Sequence, residues 1–281
     1  IAIGSGAFQN ATTINAAIAI GTRAGRDVTT GNQNTLIGYE TGMRFTTGFA
    51  NIAIGTQSLF YNTTGTYNLA IGEGALQNFT DSGNIAIGFR SQFTNTTGFN
   101  NISVGNQSLE LVTTGANNFA FGGSSMQNTT TGSNNVAIGN QTLNANVTHS
   151  NSVAIGVDAL RYATADGNIA IGFQAQRSTT TGQINVAIGY RALNANLTGF
   201  ENIAIGSEAM QANTAGQRNA ALGVAALYSN TTGNYNVAIG YRALQSNTSA
   251  DNNVAVGSEA LATNTTGTNN TALGASALNA N

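Results

Sequence analysis

The sequence contains no cysteine, no proline, no tryptophan and no lysine, and it has a single histidine. Without cysteine there is neither a disulfide framework nor a thiolate metal site. Charged residues make up 7% of the chain, whereas a typical soluble domain has roughly 25%. The formal net charge is −2, so the chain lacks the basic footprint of a protein that binds nucleic acid. No apolar run approaches the roughly 18 residues of a membrane-spanning helix, and we predict no membrane insertion by this segment.

The chain consists of copies of one repeat. Each copy contains a four-residue unit that ends in glycine, such as IAIG or VAIG, and we use this glycine as the anchor of the repeat. The spacing between anchor glycines is 17 residues in fourteen steps and 16 in two. Both short steps replace the usual TTGxxN connection with a tighter one, at 81–84 and 165–168. The anchors are Gly4, Gly21, Gly38, Gly55, Gly72, Gly88, Gly105, Gly122, Gly139, Gly156, Gly172, Gly189, Gly206, Gly223, Gly240, Gly257 and Gly274. Positions below are counted from the anchor, so that −1 is the residue before it.

Alternation around the anchor predicts one short strand in each repeat. Positions −3 and −1 are mostly Ile or Val, and residues two apart in a strand point to the same face. We expect this pair, for example Ile54 and Ile188, to point into the core, opposite a leucine at position +4 such as Leu59. Two glycines and a β-branched pair in each unit disfavour a helix. The prediction is an all-β parallel β-solenoid of about 17 coils, with 17 residues per coil.

The small residue between the two branched ones predicts a contact surface. Position −2 is Ala in fifteen of seventeen coils, the exceptions being Leu36 and Ser103. If the branched pair points inward, this row points outward, and an unvarying small residue indicates that something packs closely against it. Either a neighbouring chain or another part of the same coil could do so. The first alternative places the contact residues at Ala53, Ala137, Ala187 and Ala238.

Asparagine recurs at position −4, where stacked amides can bond to the coils on either side as a ladder, or alternatively form a row that binds ligand. In the TTG segment, glycine fits a turn that needs positive φ.

Asn-x-Ser/Thr sequons recur six or seven residues after the anchor, which predicts one exposed edge and sites of N-glycosylation in a secreted chain. Favourable turn chemistry is the other explanation of these sequons. They start at Asn10, Asn62, Asn78, Asn95, Asn128, Asn146, Asn196, Asn230, Asn247 and Asn264.

No constellation of catalytic residues stands out. The one histidine, His149, lies in the turn VTHSN without a marked nucleophile or carboxylate beside it, and the eleven acidic residues are scattered. The glycine- and aspartate-rich signature of calcium β-rolls is absent. We therefore predict no catalytic residue, no cofactor, no metal site and no enzymatic activity.

The unit N-x-[AV]-A-I-G resembles the head repeats of YadA-like trimeric autotransporter adhesins, and NSVAIG occurs at 151–156. Similar arrays occur in repetitive phage-tail-fibre and bacterial surface fibre proteins. The resemblance implies a left-handed β-roll, an obligate homotrimer and surface adhesion. The chain departs from that family in its longer period, because the family repeat is about 14 residues and the NTTG turn widens the coil here.

Together these features predict one repeat domain over residues 1–281, as an internal segment of a longer fibre. The expected function is a non-catalytic extracellular structural fibre or shaft, on a cell surface or a virion, that also adheres to surfaces or host cells. The expected partners are copies of itself, as a parallel homotrimer or filament, and surface glycans or a host receptor, with no nucleic acid. The alternative is an ice-binding or glycan-binding solenoid that uses threonine or asparagine ladders.

Overall fold

The computed structural model describes residues 1–279, and within them the protein is all-β, without a helix. Seventeen short parallel strands stack as a β-solenoid, one strand per coil, about 17 residues apart, which confirms the predicted fold class. The strands are β1 (Ala2–Ile3), β2 (Ile18–Ile20), β3 (Thr35–Ile37), β4 (Ile52–Ile54), β5 (Leu69–Ile71), β6 (Ile85–Ile87), β7 (Ile102–Val104), β8 (Phe119–Phe121), β9 (Val136–Ile138), β10 (Val153–Ile155), β11 (Ile169–Ile171), β12 (Val186–Ile188), β13 (Ile203–Ile205), β14 (Ala220–Leu222), β15 (Val237–Ile239), β16 (Val254–Val256) and β17 (Thr271–Leu273).

Contacts divide the chain into two compact units, residues 1–140 and 141–281. The first holds β1–β9 and the second holds β10–β17, and within each unit every strand pairs in parallel with the next. The register follows the repeat, so that Ala187 lies opposite Ala204. The two shortened coils keep the same register. Val153 pairs with Ile169, for example, although this repeat is one residue shorter than the others. The predicted single domain over 1–281 stays a prediction.

The alternation along each strand was predicted correctly, but its direction was wrong. The alanine row points inward and is fully buried, as at Ala187 and Ala238. The branched residues point outward, and Ile54 is 36% exposed while Ile188 is half-buried. Alternation places the two rows on opposite faces without specifying which face is inside. The coil buries the small row because its interior is too thin for branched side chains on that wall.

The coil containing Leu36 shows how little room the interior offers. Leu36 replaces the usual alanine and is fully buried. Together with Phe8 and Phe45 it occupies the space of two missing leucines, because Gly25 and Gly42 stand at position +4 of the preceding coil and of its own coil. A Cβ on Gly25 would lie 2.7 Å from Leu36 Cδ1, and one on Gly42 would lie 2.9 Å from Leu36 Cδ2. Positions −2 and +4 therefore face each other across the core, and the two exceptions compensate for each other.

We expect this compensation to appear as energetic coupling. Leu36→Ala should destabilise the chain by about 2–4 kcal/mol through the cavity it leaves, and Gly42→Leu by about 1–3 kcal/mol through overpacking. The double variant should cost at least about 1 kcal/mol less than the sum of the two, because the new leucine enters the vacated space. Urea unfolding of all four chains measures this coupling. Simple additivity would show that the two positions do not share one space.

Glycine in the TTG segment has a different role from the predicted one. Positive φ occurs at the anchor glycine and at positions +2, +4 and −5. Non-glycine residues occupy the last three positions in most coils, such as Arg191, Leu193 and Ile184 in one of them. The glycine of TTG has no positive φ in the full-length coils. A Cβ on Gly182 would instead lie 2.3 Å from the carbonyl oxygen of Gly199 in the next coil. This glycine is required by close approach of stacked backbones and not by a left-handed turn.

Candidate functional surfaces

The outward face of the strands is an apolar surface, which we call the strand face and define as positions −3 and −1 of every coil. Position −1 is apolar in all seventeen coils, and neither position carries a charge in any coil. Examples in residues 141–281 are Ile203 at 47%, Leu222 at 46% and Ile239 at 39% exposure. Soluble monomers rarely expose a continuous apolar surface of this kind, and such surfaces mark contact sites. The residues predicted to form the core are thus the main candidate contact surface.

The asparagines at position −4 form the predicted ladder. Asn202 donates its amide to Asn185 Oδ1 at 3.1 Å and to the Gly216 carbonyl at 2.8 Å, and its own Oδ1 accepts from the backbone and amide of Asn219. Nearly all of these side chains are buried and fully engaged with neighbouring coils. Because their amides are buried, they cannot serve as the row of ligand-binding amides that was the alternative.

A second asparagine ladder at position +7 was not foreseen. Asn213 donates to Asn196 Oδ1 and Asn230 donates to Asn213 Oδ1, both at 2.9 Å, and Asn247 continues the row. These residues are buried, and each also bonds the carbonyl three residues later. The signal was present in the sequence, because position +7 holds asparagine in nine of seventeen coils and in every coil from Asn196 onward.

Position +7 contains most of the predicted glycosylation sites, and four of them belong to the second ladder. Seven sequon asparagines stand at +7 and are buried, contrary to the expected exposed edge: Asn62, Asn95, Asn146, Asn196, Asn230, Asn247 and Asn264. The other three stand at +6, where Asn10 is exposed and Asn78 and Asn128 are half-buried. A glycan is attached to the side-chain amide, so that amide must be accessible. N-glycosylation stays a prediction, and the geometry favours the three sequons at +6.

Two coils place glutamine where the core leucine usually stands. Gln92 is buried and well satisfied, since its amide donates to Ser103 Oγ and the Ile85 carbonyl at 2.9 Å each and its oxygen accepts from Asn95. This explains why the alanine row is interrupted at Ser103. Gln176 is equally buried, but neither its Nε2 nor its Oε1 has a hydrogen-bond partner, and the neighbouring Thr179 hydroxyl has none.

The same substitution should therefore have opposite effects in these two coils. Gln176→Leu restores the usual core residue and removes two unsatisfied polar atoms, so we expect a gain of about 1–2 kcal/mol in the free energy of unfolding. Gln92→Leu removes buried hydrogen bonds to Ser103, Asn95 and the Ile85 carbonyl, so we expect a loss of about 1–3 kcal/mol. Thermal and urea unfolding measure both changes. Shifts of the same sign in both variants would contradict this assignment.

Threonines at position +8 form a row of half-buried and exposed side chains along the TTG segments. Their hydroxyls donate to the carbonyl of the equivalent residue in the next coil, as Thr231 does to Thr248 at 2.9 Å and Thr96 to Thr113 at 3.0 Å. The donor of each such hydroxyl is thus used within the coil stack.

Most arginines lie at positions +2 and +5, on the turn that follows the strand. Glu40 is largely buried there between Gln57, at 3.0 Å, and Arg23, at 2.9 Å. The hydrogen bond from Gln57, with that from Arg23, lowers the pKa of Glu40. A hydrogen bond from Arg26 likewise lowers the pKa of Asp27. A lowered pKa means that the ionised carboxylate contributes stability above its unfolded pKa, and that this is lost as the pH falls through the folded one. Both carboxylates are ionised at neutral pH.

His149 is half-buried in its turn, where its backbone amide donates to Asn146 Oδ1 at 2.9 Å. Within residues 1–279 no three His, Asp or Glu side chains come close enough to hold a metal ion. The described part of the chain also has no apolar helix of membrane-spanning length.

Comparison with models of known families and with curated proteins found no match to this chain.

Proposed function

We propose that this chain is a structural fibre segment that assembles with copies of itself through the strand face. The observation that carries the proposal is the unbroken row of apolar residues at position −1, many of them exposed, as at Ile54 and Ile239. Burying such a surface gains roughly 25 cal/mol for each Å² removed from water. A single thin solenoid with alanine on one wall buries little apolar surface in its own interior and therefore gains little stability from it. Assembly through the strand face would bury additional apolar surface at every coil.

The period of the strand face favours a second copy as the occupant. Apolar residues recur once per coil, at the spacing of about 4.8 Å set by parallel strand stacking. A partner that matches this spacing over many coils needs the same repeat, which another copy of the chain has by construction. The strand face carries no charge to orient a different partner. Closed cyclic assembly is the common arrangement of identical chains, and the resemblance to trimeric adhesin heads favours three parallel chains in register.

The fibre would act outside the cell, on a cell surface or a virion, and adhesion would use the faces that assembly leaves open. Each coil repeats the same outward chemistry, so many weak contacts with surface glycans or a host receptor could add up to a firm attachment. The repetition of the same surface in every coil supports a mechanical and adhesive role, in which many equivalent contacts act together.

Substitutions on the strand face test the proposal. The triple variant Ile169→Asp, Ile203→Asp, Ile239→Asp places three charges on exposed positions of that face. The matched control Thr181→Asp, Thr198→Asp, Thr232→Asp places three charges on exposed positions of the TTG segments in the same unit. We expect light scattering to give several times 28.6 kDa for the native chain and the control, and the mass of one chain for the strand-face variant. Equal masses for the two variants would refute this use of the face.

Ice binding is a second candidate, favoured by the partly exposed threonine row at regular spacing. The use of its hydroxyl donors within the stack weakens the case, because those donors are not available to order water. Thermal hysteresis of the native chain is the direct assay. Activity that is lost on replacing Thr231 and Thr248 by lysine would support this candidate over the fibre.

A further inference from the structure

A notch interrupts the polar turn face in residues 1–140, and none of its lining residues belongs to the strand face. Position +2 usually carries a long polar side chain, such as Gln57 in one coil and Arg90 two coils later, but between them stands Gly74. Glycine is not needed there for backbone reasons, since Gln57 has φ 54° and Arg90 φ 52° at the same position. The missing side chain leaves a cavity of about 180 Å³ between these coils.

The walls of this notch combine aromatic, donor and acceptor groups. The Phe89 ring is 44% exposed, and the Arg90 guanidinium lies 4.5 Å from the centre of the Phe93 ring and 5.7 Å from that of Phe89. Glu73 also borders the cavity, and among the described residues its carboxylate has no hydrogen bond or ion pair. Gln77 donates its amide to Gln57 at 3.0 Å, which leaves its own carbonyl oxygen as an acceptor.

We infer that this notch binds a neutral, hydroxyl-rich ligand, namely one ring of a saccharide. Glu73 and the Gln77 oxygen accept hydrogen bonds, Arg90 donates them, and the phenyl rings offer an apolar surface for the C–H face of a sugar. Arg90 also faces Glu110 at 3.5 Å, so these two charges offset each other and Glu73 leaves the surroundings of the cavity with a net charge of −1. The excess negative charge disfavours an anion, and the guanidinium beside both rings disfavours a cation. The volume is below the roughly 300–1,000 Å³ of sites for larger ligands.

The inference is independent of the fibre proposal, because the notch and the strand face share no residue. Binding at a single small site should be weak, with a Kd on the order of 1 mM. Such affinity is useful only on a repeated or assembled scaffold, where several copies of the notch act together.

Saturation-transfer NMR with the full chain tests this inference, using glucose, galactose, mannose and N-acetylglucosamine as probes. We expect at least one sugar to receive saturation from the native chain, and we expect Gly74→Gln to abolish the signal by filling the notch. Ser124→Gln introduces the same side chain at the same left-handed coil position elsewhere (φ 51°) and should leave the signal intact. Glu73→Gln, at an exposed position, should weaken binding about tenfold or more, since a charged acceptor is lost.

Three results would overturn the assignment. They are no transfer to any of the four sugars, equal transfer with Gly74→Gln and the native chain, or binding of tetramethylammonium or inorganic phosphate without binding of a sugar. Circular dichroism of each variant verifies that the fold is retained. The light-scattering mass reports separately on assembly, so failure of one proposal does not imply failure of the other.

Discussion

Ala238→Asp should unfold its coil, whereas Ile239→Asp, one residue later in the same strand, should keep the fold. Ala238 is fully buried against its own coil and the alanines on either side, and an unpaired carboxylate there has no partner and no space. We expect a loss of at least about 3–5 kcal/mol, or local unfolding. Ile239 is 39% exposed, so its carboxylate stays in contact with water. Its effect on folding should remain below about 1 kcal/mol in the separated chain.

Far-UV circular dichroism and urea unfolding of the two variants decide which strand face is inside. A result in which Ile239→Asp is the more damaging of the two, measured on separated chains, would restore the original assignment of the branched residues to the core. The comparison is close because both variants introduce the same side chain into the same strand, β15.

The largest effect of a single polar truncation is expected in the asparagine ladder. Asn101→Ala removes the donor to the Gly115 carbonyl, at 2.8 Å, and the acceptor for the backbone and side chain of Asn118. Because these groups are buried, the loss leaves a carbonyl and an N–H unsatisfied, at about 1–3 kcal/mol each. We expect a total destabilisation of about 3 kcal/mol or more.

The control for this prediction lies five residues away. Asn106 is exposed, and the structure gives its side chain no hydrogen bond among the described residues, so Asn106→Ala should change the free energy of unfolding by less than about 0.5 kcal/mol. Comparable losses in the two variants, from urea unfolding, would mean that the ladder contributes no special stability.

The sequence predicted the fold because the repeat constrains it strongly. The period located every strand, the two short steps were correctly placed in turns, and the asparagines at −4 form the ladder that stacked amides require. Each of these inferences needs only that equivalent residues stack on one another. The repeat itself supplies that information.

The same pattern does not show which side of each strand points into the core. Alternation at Ile54 and Ala53 is compatible with either row inside, and hydrophobicity alone favours the larger residue. What decides is the thickness of the coil, which depends on three left-handed residues in each turn. Non-glycine residues such as Leu193 rarely adopt that conformation, so no sequence rule signals it.

Two local signals were nevertheless available. The interruptions at Leu36 and Ser103 each coincide with an unusual residue at +4 in a nearby coil, which indicates that positions −2 and +4 meet. The sequons split into offsets of six and seven, and this one-residue difference separates accessible asparagines, such as Asn10, from buried ones, such as Asn62. The coils that depart from the repeat therefore indicate both that position −2 points into the core and which sequons are accessible.

Burial of the strand face in the assembled protein is the central claim, and a single thiol tests it most directly. The chain has no cysteine, so Ile239→Cys and Thr232→Cys each introduce one reporter, on the strand face and on the TTG segment. The rate of maleimide labelling should be at least about tenfold lower for Ile239→Cys than for Thr232→Cys, and it should rise when Ile169→Asp and Ile203→Asp are added. Rapid labelling of Ile239→Cys, unchanged by those two substitutions, would contradict assembly through the strand face.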